Sequence, residues 1–181
     1  MNFCTTCGAE VALQIPEGDD RKRYVCLSCQ SIHYTSPRVI VGCLPIHEGK
    51  VLLCRRAIEP RRNYWTLPAG FMENGETSQQ GAARETWEEA EAKATELELY
   101  RIYDIPHISQ VYMFYRCGIE QGAFGAGPES LESALFEERD IPWDELAFPV
   151  VSRSLKEYFS DATQGRFPVR VAAIERRRKP S

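Results

Sequence analysis

The stretch 70–92, GFMENGETSQQGAARETWEEAEA, restricts the fold more than any other part of this sequence. It opens with a glycine-containing loop and then places Thr77 three residues before Gln80. Threonine at the N-cap followed by glutamine at the third helical position is the spacing of a capping box, in which each side chain accepts a hydrogen bond from the other residue's backbone N–H. We therefore predict a helix that begins at about Thr77.

The predicted helix separates acidic from apolar residues. At about 100° per residue, one sector of the helix collects the carboxylates of Glu85, Glu88 and Glu89. The opposite side collects the residues that we expect to form a core stripe, which are Ala83, Trp87, Ala90 and Ala94. Arg84 lies beside Glu88 around the helix, and because a guanidinium is always charged we interpret it as a partner that orients a carboxylate.

Carboxylates crowded on one helical face repel each other unless a positive group lies among them. Hard divalent cations such as Mg²⁺ take oxygen ligands and are commonly shared between protein carboxylates and a substrate phosphate. A run of like charges is also typical of a face exposed to solvent. The carboxylates alone leave two interpretations open, a metal site for phosphate chemistry and an acidic surface.

Four of the seven cysteines form two C-x-x-C pairs, Cys4 with Cys7 and Cys26 with Cys29. Two such pairs supply four thiolates for the tetrahedral coordination of a structural Zn²⁺ ion. Redox dithiols are the alternative, but the strand-helix context of a thioredoxin motif is missing. So short a segment cannot build its own core, and we expect zinc to supply its folding energy. The other cysteines lie in apolar runs and should be buried; they are Cys43, Cys54 and Cys117.

Hydrophobic patterning predicts further elements along the chain. Residues 38–46 and 50–56 are β-branched and aliphatic runs joined by a short polar turn, which indicates a β-hairpin. Two more strands are predicted at 97–105 and 111–117. Apolar residues at helical spacing predict a second helix over 148–159, which we expect to cover the sheet face opposite the first helix.

Composition excludes several classes of protein. The 181 residues have a net charge of −4 and a pI near 5.5, whereas a general nucleic-acid binder needs a basic surface. The longest apolar run, 39–46, is too short to cross a bilayer, and no signal peptide precedes Cys4. We therefore expect a cytoplasmic protein without a nucleic-acid or membrane partner. The basic residues 176–179 are expected to be a solvated chain end.

The spacing of the acidic helix resembles a known signature. The pattern is Gly70, five residues, Glu76, seven residues, Arg84-Glu85, two residues and then Glu88-Glu89. This spacing resembles the Nudix box of hydrolases that act on nucleoside diphosphates linked to another group. The resemblance implies an α/β fold, the Nudix α/β/α sandwich with a mixed sheet, preceded by a small zinc ribbon. The domains would be 1–36 for the ribbon, 37–165 for the Nudix domain and 166–181 for a C-terminal tail. Three positions depart from the family pattern: Glu91 replaces its late glycine, and Thr86 and Ala92 occupy aliphatic positions.

The resemblance also implies roles for individual residues. Glu85, Glu88 and Glu89 would hold catalytic Mg²⁺ or Mn²⁺, together with the backbone carbonyl of Ala69 or Gly70. A downstream glutamate often serves such enzymes as a further ligand or general base, and its spacing from the strand at 135–136 favours Glu129 over Glu132. No residue is assigned to substrate binding. His107 and the arginines at 55, 56, 61 and 62 are candidates without a defined role.

Longer segments narrow the resemblance to one group of the family. Four segments are similar to the plant chloroplast FAD and ADP-ribose pyrophosphatase and its bacterial relatives. They are VGCLPIHEGKVLLCRRAIEP, WTLPAGFMENGET, DIPHISQVY and GPESLESALFEERDIPWDELAF. The implied substrates are FAD, cleaved to FMN and AMP, and ADP-ribose, cleaved to AMP and ribose 5-phosphate. The implied protein is bacterial, without a transit peptide, and a homodimer is plausible from the family.

Two other functions remain as alternatives. Bacterial NADH pyrophosphatases also have a ribbon before a Nudix domain, but their SQPWPFP-type motif is replaced here by DIPHISQVY. The second alternative is a regulator that senses nucleotides without catalysis. Such a protein typically loses glutamates from the box, whereas all of them are present in this sequence.

Overall fold

The computed structural model describes residues 1–175, and the basic residues 176–179 lie outside this range. The chain forms two compact units, Met1–Pro37 and a larger one that begins at Arg38. The first unit is a three-stranded antiparallel sheet in the order β1-β2-β3. Its strands are β1 (Val11–Gln14), β2 (Arg23–Cys26) and β3 (Ile32–His33).

The second unit contains a mixed sheet and two α-helices. Its strands are β4 (Arg38–His47), β5 (Lys50–Arg56), β6 (Trp65–Thr66), β7 (Ala69–Phe71), β8 (Ala94–Ile105), β9 (Gln110–Ile119), β10 (Ser130–Phe136) and β11 (Arg170–Ala173), and its helices are α1 (Ser78–Ala90) and α2 (Pro149–Gln164). The strand order is β10-β5-β4-β9-β8-β11, while β6 pairs with β5 and β7 with β4. The β4–β9 and β8–β11 pairs are parallel and the other pairs are antiparallel.

The two helices cover opposite faces of the sheet. Successive strand residues point to opposite faces, and in β4 the side chain of Cys43 packs in one cluster with Ala82 of α1. Its neighbour Leu44 packs in another cluster with Val151 and Leu155 of α2. The predicted α/β/α sandwich with a mixed sheet is therefore confirmed, as is the position of the second helix. In residues 1–175, no helix has the length and apolar character that crossing a membrane requires.

Helix α1 begins where the sequence predicts. Thr77 is the N-cap, its side chain accepts from the Gln80 backbone N–H at 3.2 Å, and the Gln80 side chain accepts from the Thr77 N–H at 2.8 Å. The helix ends at Glu91, whose backbone is left-handed with φ 47°. Glycine adopts this left-handed conformation without strain, which explains why the family usually has glycine at this position.

The predicted core stripe of α1 is wrong for Trp87 and Ala94. Trp87 is 57% exposed, Ala94 belongs to strand β8, and the carboxylate-bearing residues Glu85 and Glu89 are buried instead. The helix approaches the sheet through small residues, since a Cβ at Gly81 would lie 2.7 Å from the Val41 side chain. A large indole cannot fit such a close contact, and the pattern alone does not show which side of the helix faces the sheet.

Part of the segment expected to be a tail belongs to the sheet. Strand β11 pairs with β8, and Arg170 donates to both carboxylate oxygens of Asp161 on α2 at 2.9 Å. The same buried carboxylate accepts from Arg101 of β8 at 2.6 Å and from Tyr100 at 2.8 Å. Burial opposes ionisation of Asp161, but these donors outweigh it and lower its pKa. The segment that follows α2 is therefore tied to the interior by charge.

We expect Glu91→Gly to stabilise the protein by about 1 kcal/mol, because glycine adopts the left-handed conformation without the penalty that other residues incur. Urea unfolding followed by circular dichroism would measure the change. Ala162→Gly, at an exposed position within α2, is the matched control and should destabilise by up to about 1 kcal/mol. Equal destabilisation by the two glycines would contradict the assignment of strain to Glu91.

Candidate functional site

The paired cysteines come together in the first unit. The Sγ atoms of Cys4, Cys7, Cys26 and Cys29 all lie within 4.8 Å of one another. Cys4 and Cys29 are 3.7 Å apart, and Cys7 and Cys26 are 3.5 Å apart. Tetrahedral Zn–S bonds of about 2.3 Å would separate the sulfurs by about 3.8 Å. The donor set and its spacing therefore fit a zinc ion.

Backbone N–H groups and His33 contact two of the cysteine sulfurs. The Thr6 N–H donates to Cys4 Sγ at 3.3 Å, and the Ser28 and Cys29 N–H groups donate to Cys26 Sγ at 3.4 and 3.3 Å. His33 Nε2 lies 3.2 Å from Cys4 Sγ. Burial opposes ionisation of Cys4, but the backbone amides and His33 outweigh it and lower the Cys4 pKa to about 5. Sequence analysis missed His33, because only the folded sheet brings it to the first cysteine pair.

Arg84 organises the acidic residues of the second unit. Its guanidinium donates to Glu85 at 2.7 Å, to Glu88 at 3.0 Å and to Glu76 at 2.8 Å. It also donates to the backbone carbonyl of Phe71 at 3.1 Å. The hydrogen bond from Arg84 lowers the pKa of Glu76 to about 2. Arg84 thus orients three carboxylates and ties the loop before α1 to the helix.

Glu85 and Glu89 point from α1 into the protein. Glu89 is 7% exposed and accepts from the Ala69 N–H at 3.3 Å. Burial, reinforced by the nearby Glu85 charge, raises the pKa of Glu89 to about 8. Burial also raises the pKa of Glu85, although Arg84 opposes the rise. A hard divalent cation bound here would favour the ionised form of both carboxylates, which is the form that acts as a ligand.

Gly70 leaves room for the carboxylate of Glu85. A Cβ at Gly70 would lie 2.3 Å from Glu85 Oε2, so any side chain there would displace this oxygen. Gly70 pairs with Val41 in the β4–β7 ladder, next to Ala69. Ala69 and Gly70, the two candidates for a carbonyl ligand, therefore lie beside the buried glutamates.

The glycine-rich loop after β9 packs on the end of α1. The Gly125 N–H donates to the Ala90 carbonyl at 2.7 Å, and the Gly127 N–H donates to the Glu89 carbonyl at 3.1 Å. A Cβ at Gly127 would lie only 1.7 Å from the Glu88 carbonyl oxygen. The loop can approach the helix this closely because residue 127 has no side chain.

Glu129 follows this loop and enters the same cavity as the α1 carboxylates. Its carbonyl accepts from the Ala57 N–H at 2.8 Å, and its charge contributes to the raised pKa of both Glu85 and Glu89. Glu132, the other candidate, forms an ion pair with Arg55 at 2.9 Å. The geometry thus places Glu129 beside the cluster, while its role stays a prediction.

A cavity of about 980 Å³ is lined by both carboxylates and apolar side chains. The carboxylates include Glu85, Glu88, Glu89 and Glu129, and the apolar residues include Ile40, Ile58, Phe71, Ile108, Tyr112 and Phe148. Arg56 lines the cavity with its guanidinium 5.3 Å from the Phe148 ring centroid. Such a cavity suits a ligand with a charged centre and a planar apolar group.

The other candidates for substrate contact lie differently. Arg61 lies over the Tyr64 ring at 5.3 Å, and His107 is exposed in a short 3-10 turn, Pro106–Ile108. The cavity is lined instead by Ile108, the last residue of this turn, and by Gln110 in β9. Sequence analysis missed Gln110, because an isolated glutamine in a strand carries no signal of its own.

Comparison with known families agrees with this geometry. Residues 36–157 match the model of the NUDIX domain, and residues 2–35 match that of the zinc ribbon described as Nudix N-terminal. The chain belongs to the Nudix family. Its amino-terminal unit matches the zinc ribbon found with this domain.

Several characterised relatives are similar to this Nudix chain. The crystal structure of a NUDIX hydrolase from Nitrosomonas europaea is 54% identical, with a TM-score of 0.92 over 96% of this chain and 99% of that one. The NAD-capped RNA hydrolase NudC of Photobacterium profundum is 28% identical over 75% of this chain. This chain spans 49% of the length of that NudC. The ADP-ribose pyrophosphatase of Methanocaldococcus jannaschii is 30% identical over 64% of this chain and 69% of its own length.

Cys26→Ser should lose the zinc ion, because the remaining thiolates cannot complete a closed tetrahedral site. We expect about one zinc per chain in the purified wild type and much less in the variant, measured by atomic emission. The variant's ribbon should also become sensitive to proteases. Cys43→Ala, which removes a buried cysteine outside the cluster, is the control and should keep its zinc. Full zinc occupancy in Cys26→Ser would contradict the assignment.

Gly127→Ala should lower kcat by at least about tenfold, because a displacement of about 1 Å at a catalytic group can cost a hundredfold. The added methyl group would collide with the Glu88 carbonyl and shift the loop that positions Glu129. Hydrolysis of ADP-ribose with Mg²⁺ would measure the effect. Ala126→Ser, at the exposed neighbouring position, should leave kcat within about twofold. Wild-type turnover in Gly127→Ala would show that the close contact is not needed.

Proposed function

We propose that this Nudix enzyme cleaves the diphosphate of FAD, giving FMN and AMP, and that of ADP-ribose, giving AMP and ribose 5-phosphate. The observation that supports this most directly is the cavity whose lining combines carboxylates with apolar and aromatic residues. The carboxylates suit a diphosphate with its cations, and the apolar residues suit a planar ring. The similarity to an ADP-ribose pyrophosphatase is consistent with this substrate class.

We propose Glu85, Glu88 and Glu89 as ligands for Mg²⁺ or Mn²⁺, with the carbonyl of Ala69 or Gly70. The fit rests above all on Glu89, a buried carboxylate that forms no ion pair among the described residues. A bound divalent cation would neutralise charge on the diphosphate and activate the attacking water. The four ribbon cysteines would hold a structural Zn²⁺ that takes no part in the reaction.

The protein's own groups have distinct tasks in this proposal. Arg84 keeps Glu85 and Glu88 in place through its two short hydrogen bonds. Glu129, which lines the same cavity, would accept the proton of the attacking water. Arg56 contributes a guanidinium to the same cavity, where it can donate to diphosphate oxygens.

NADH pyrophosphatase activity is a second candidate, favoured by the similarity to NudC proteins, whose name specifies NAD-capped RNA. Against it stands the DIPHISQVY segment, where the resembling NADH enzymes have an SQPWPFP-type motif. The net charge of −4 is also poorly suited to a long RNA. A sensor without catalysis is disfavoured because every carboxylate of the box is present and clustered.

Release of AMP from FAD, ADP-ribose and NADH, each with Mg²⁺ and with chelator, would test the proposal through kcat/KM. We expect metal-dependent hydrolysis of FAD and ADP-ribose, with NADH the poorest substrate. Glu89→Gln should lower kcat/KM by more than about a hundredfold, because an amide is a poor ligand for a hard cation. Absence of AMP from all three substrates, or near-normal turnover in the variant, would refute the proposal.

The same variant has an expected effect on stability. The Glu89 pKa rises from 4.5 to about 8 on folding, so folding takes up a proton between these values and stability falls as the pH rises through them. Glutamine cannot ionise, and Glu89→Gln should therefore be more stable than the wild type by a few kcal/mol at pH 9. Thermal unfolding after removal of free Mg²⁺ by desalting, which spares tightly held zinc, would measure this. Glu132→Gln is the control and should keep wild-type activity and pH dependence.

A further inference from the structure

Three residues on neighbouring strands form an apolar strip across the cavity wall. Phe71 of β7 is the register partner of Ile40 in β4, and Ile40 is the register partner of Tyr112 in β9. Register partners on adjacent strands point to the same face of a sheet. All three side chains line the cavity. We name Phe71, Ile40 and Tyr112 the apolar strip.

The strip offers an aromatic surface with a fixed orientation. Phe71 is 48% exposed, although burial of an apolar ring is favourable. The guanidinium of Arg38 lies 5.3 Å from its ring centroid, a contact that restricts the ring. Tyr112 at the other end packs against the buried Phe114 ring at 5.9 Å. Both aromatic ends are therefore supported by the protein, as a stacking platform requires.

One polar group adjoins the strip within the cavity. Gln110 precedes Tyr112 by two positions in β9, so it points to the same face, and it also lines the cavity. Its amide offers both a donor and an acceptor. A ring lying on the strip could therefore present a polar edge to Gln110 while its apolar part covers the three side chains.

The length of the strip indicates which ring it fits. Two spacings between neighbouring strands amount to about 10 Å. A fused three-ring system is long enough to span the three strands, whereas a two-ring purine spans about two of them. The strip also begins close to the carboxylates, because Ala69, which contacts Glu89, precedes Phe71 by two residues, or about 7 Å. This interval leaves room for a short chain between the diphosphate and the ring.

We infer that the apolar strip binds the isoalloxazine ring of FAD, with Gln110 at the polar edge of that ring. This inference rests on the proposed function and deepens it. The isoalloxazine ring, which FAD has and ADP-ribose lacks, would contact the apolar strip and so contribute binding energy for FAD alone. Phe71 and Tyr112 would then be the residues that determine preference between the two substrates.

Phe71→Ala and Tyr112→Leu, which remove stacking surface, should lower kcat/KM for FAD by about tenfold or more, since stacking contributes about 1–3 kcal/mol per ring. The value for ADP-ribose should stay within about twofold. Trp87→Ala is the matched control, because Trp87 is an exposed aromatic residue of the same cavity that lies on α1 instead of the strip. It should leave the ratio of the two kcat/KM values unchanged.

Equal losses for FAD and ADP-ribose would overturn the inference, as they would indicate a shared adenine subsite or a structural defect. The inference would also be overturned if Trp87→Ala changed the ratio of the two kcat/KM values while Phe71→Ala and Tyr112→Leu left it unchanged. Titration with FMN, followed by quenching of flavin fluorescence, separates this inference from the proposed function. If the wild type releases no AMP, the proposed function fails. Even then, FMN binding that is at least tenfold weaker in Phe71→Ala than in the wild type would support a flavin site on the apolar strip. Equal FMN binding by the two proteins would overturn the inference.

Discussion

The guanidinium of Arg84 is the interaction on which the acidic site depends. It joins Glu76 from the loop, Glu85 and Glu88 from α1, and the carbonyl of Phe71 from β7. Three carboxylates so close together would otherwise repel each other and move apart. Because one planar group with several donors contacts all of them, the loop, the strand and the helix have a fixed relation before any cation binds.

The elements that could be predicted from sequence are those governed by local chemistry. The capping box at Thr77 and Gln80, the hairpin of β4 and β5, and the cysteine pairs each depend on residues close in the chain. Their physical causes, satisfied N–H groups, alternating side chains and thiolate ligands, act over a few positions. The fold class followed because the spacing in the acidic helix resembles that of a known family.

What could not be predicted depends on contacts between distant segments. Helical spacing predicts Trp87 in the core, on the side opposite the carboxylates, yet the fit of Gly81 against Val41 decides which side of α1 faces the sheet. His33 and Gln110 have no local signal, and they gain significance only beside Cys4 and in the cavity. Spacing favours Glu129 over Glu132, but the contact of Gly127 with α1 that precedes Glu129 has no local signal.

The ionic contacts of Asp161 connect the last strand to the electrical balance of the interior. Helix α2 brings the carboxylates of Asp161 and Glu157 to the buried guanidinium of Arg101, and Arg170 supplies a further cation only when β11 pairs with β8. Arg153 already balances Glu157, so Arg170 adds two hydrogen bonds to a carboxylate that Arg101 also holds. A chain that has not yet added β11 lacks these two bonds to α2, so the far edge of the sheet influences how firmly the helix is held.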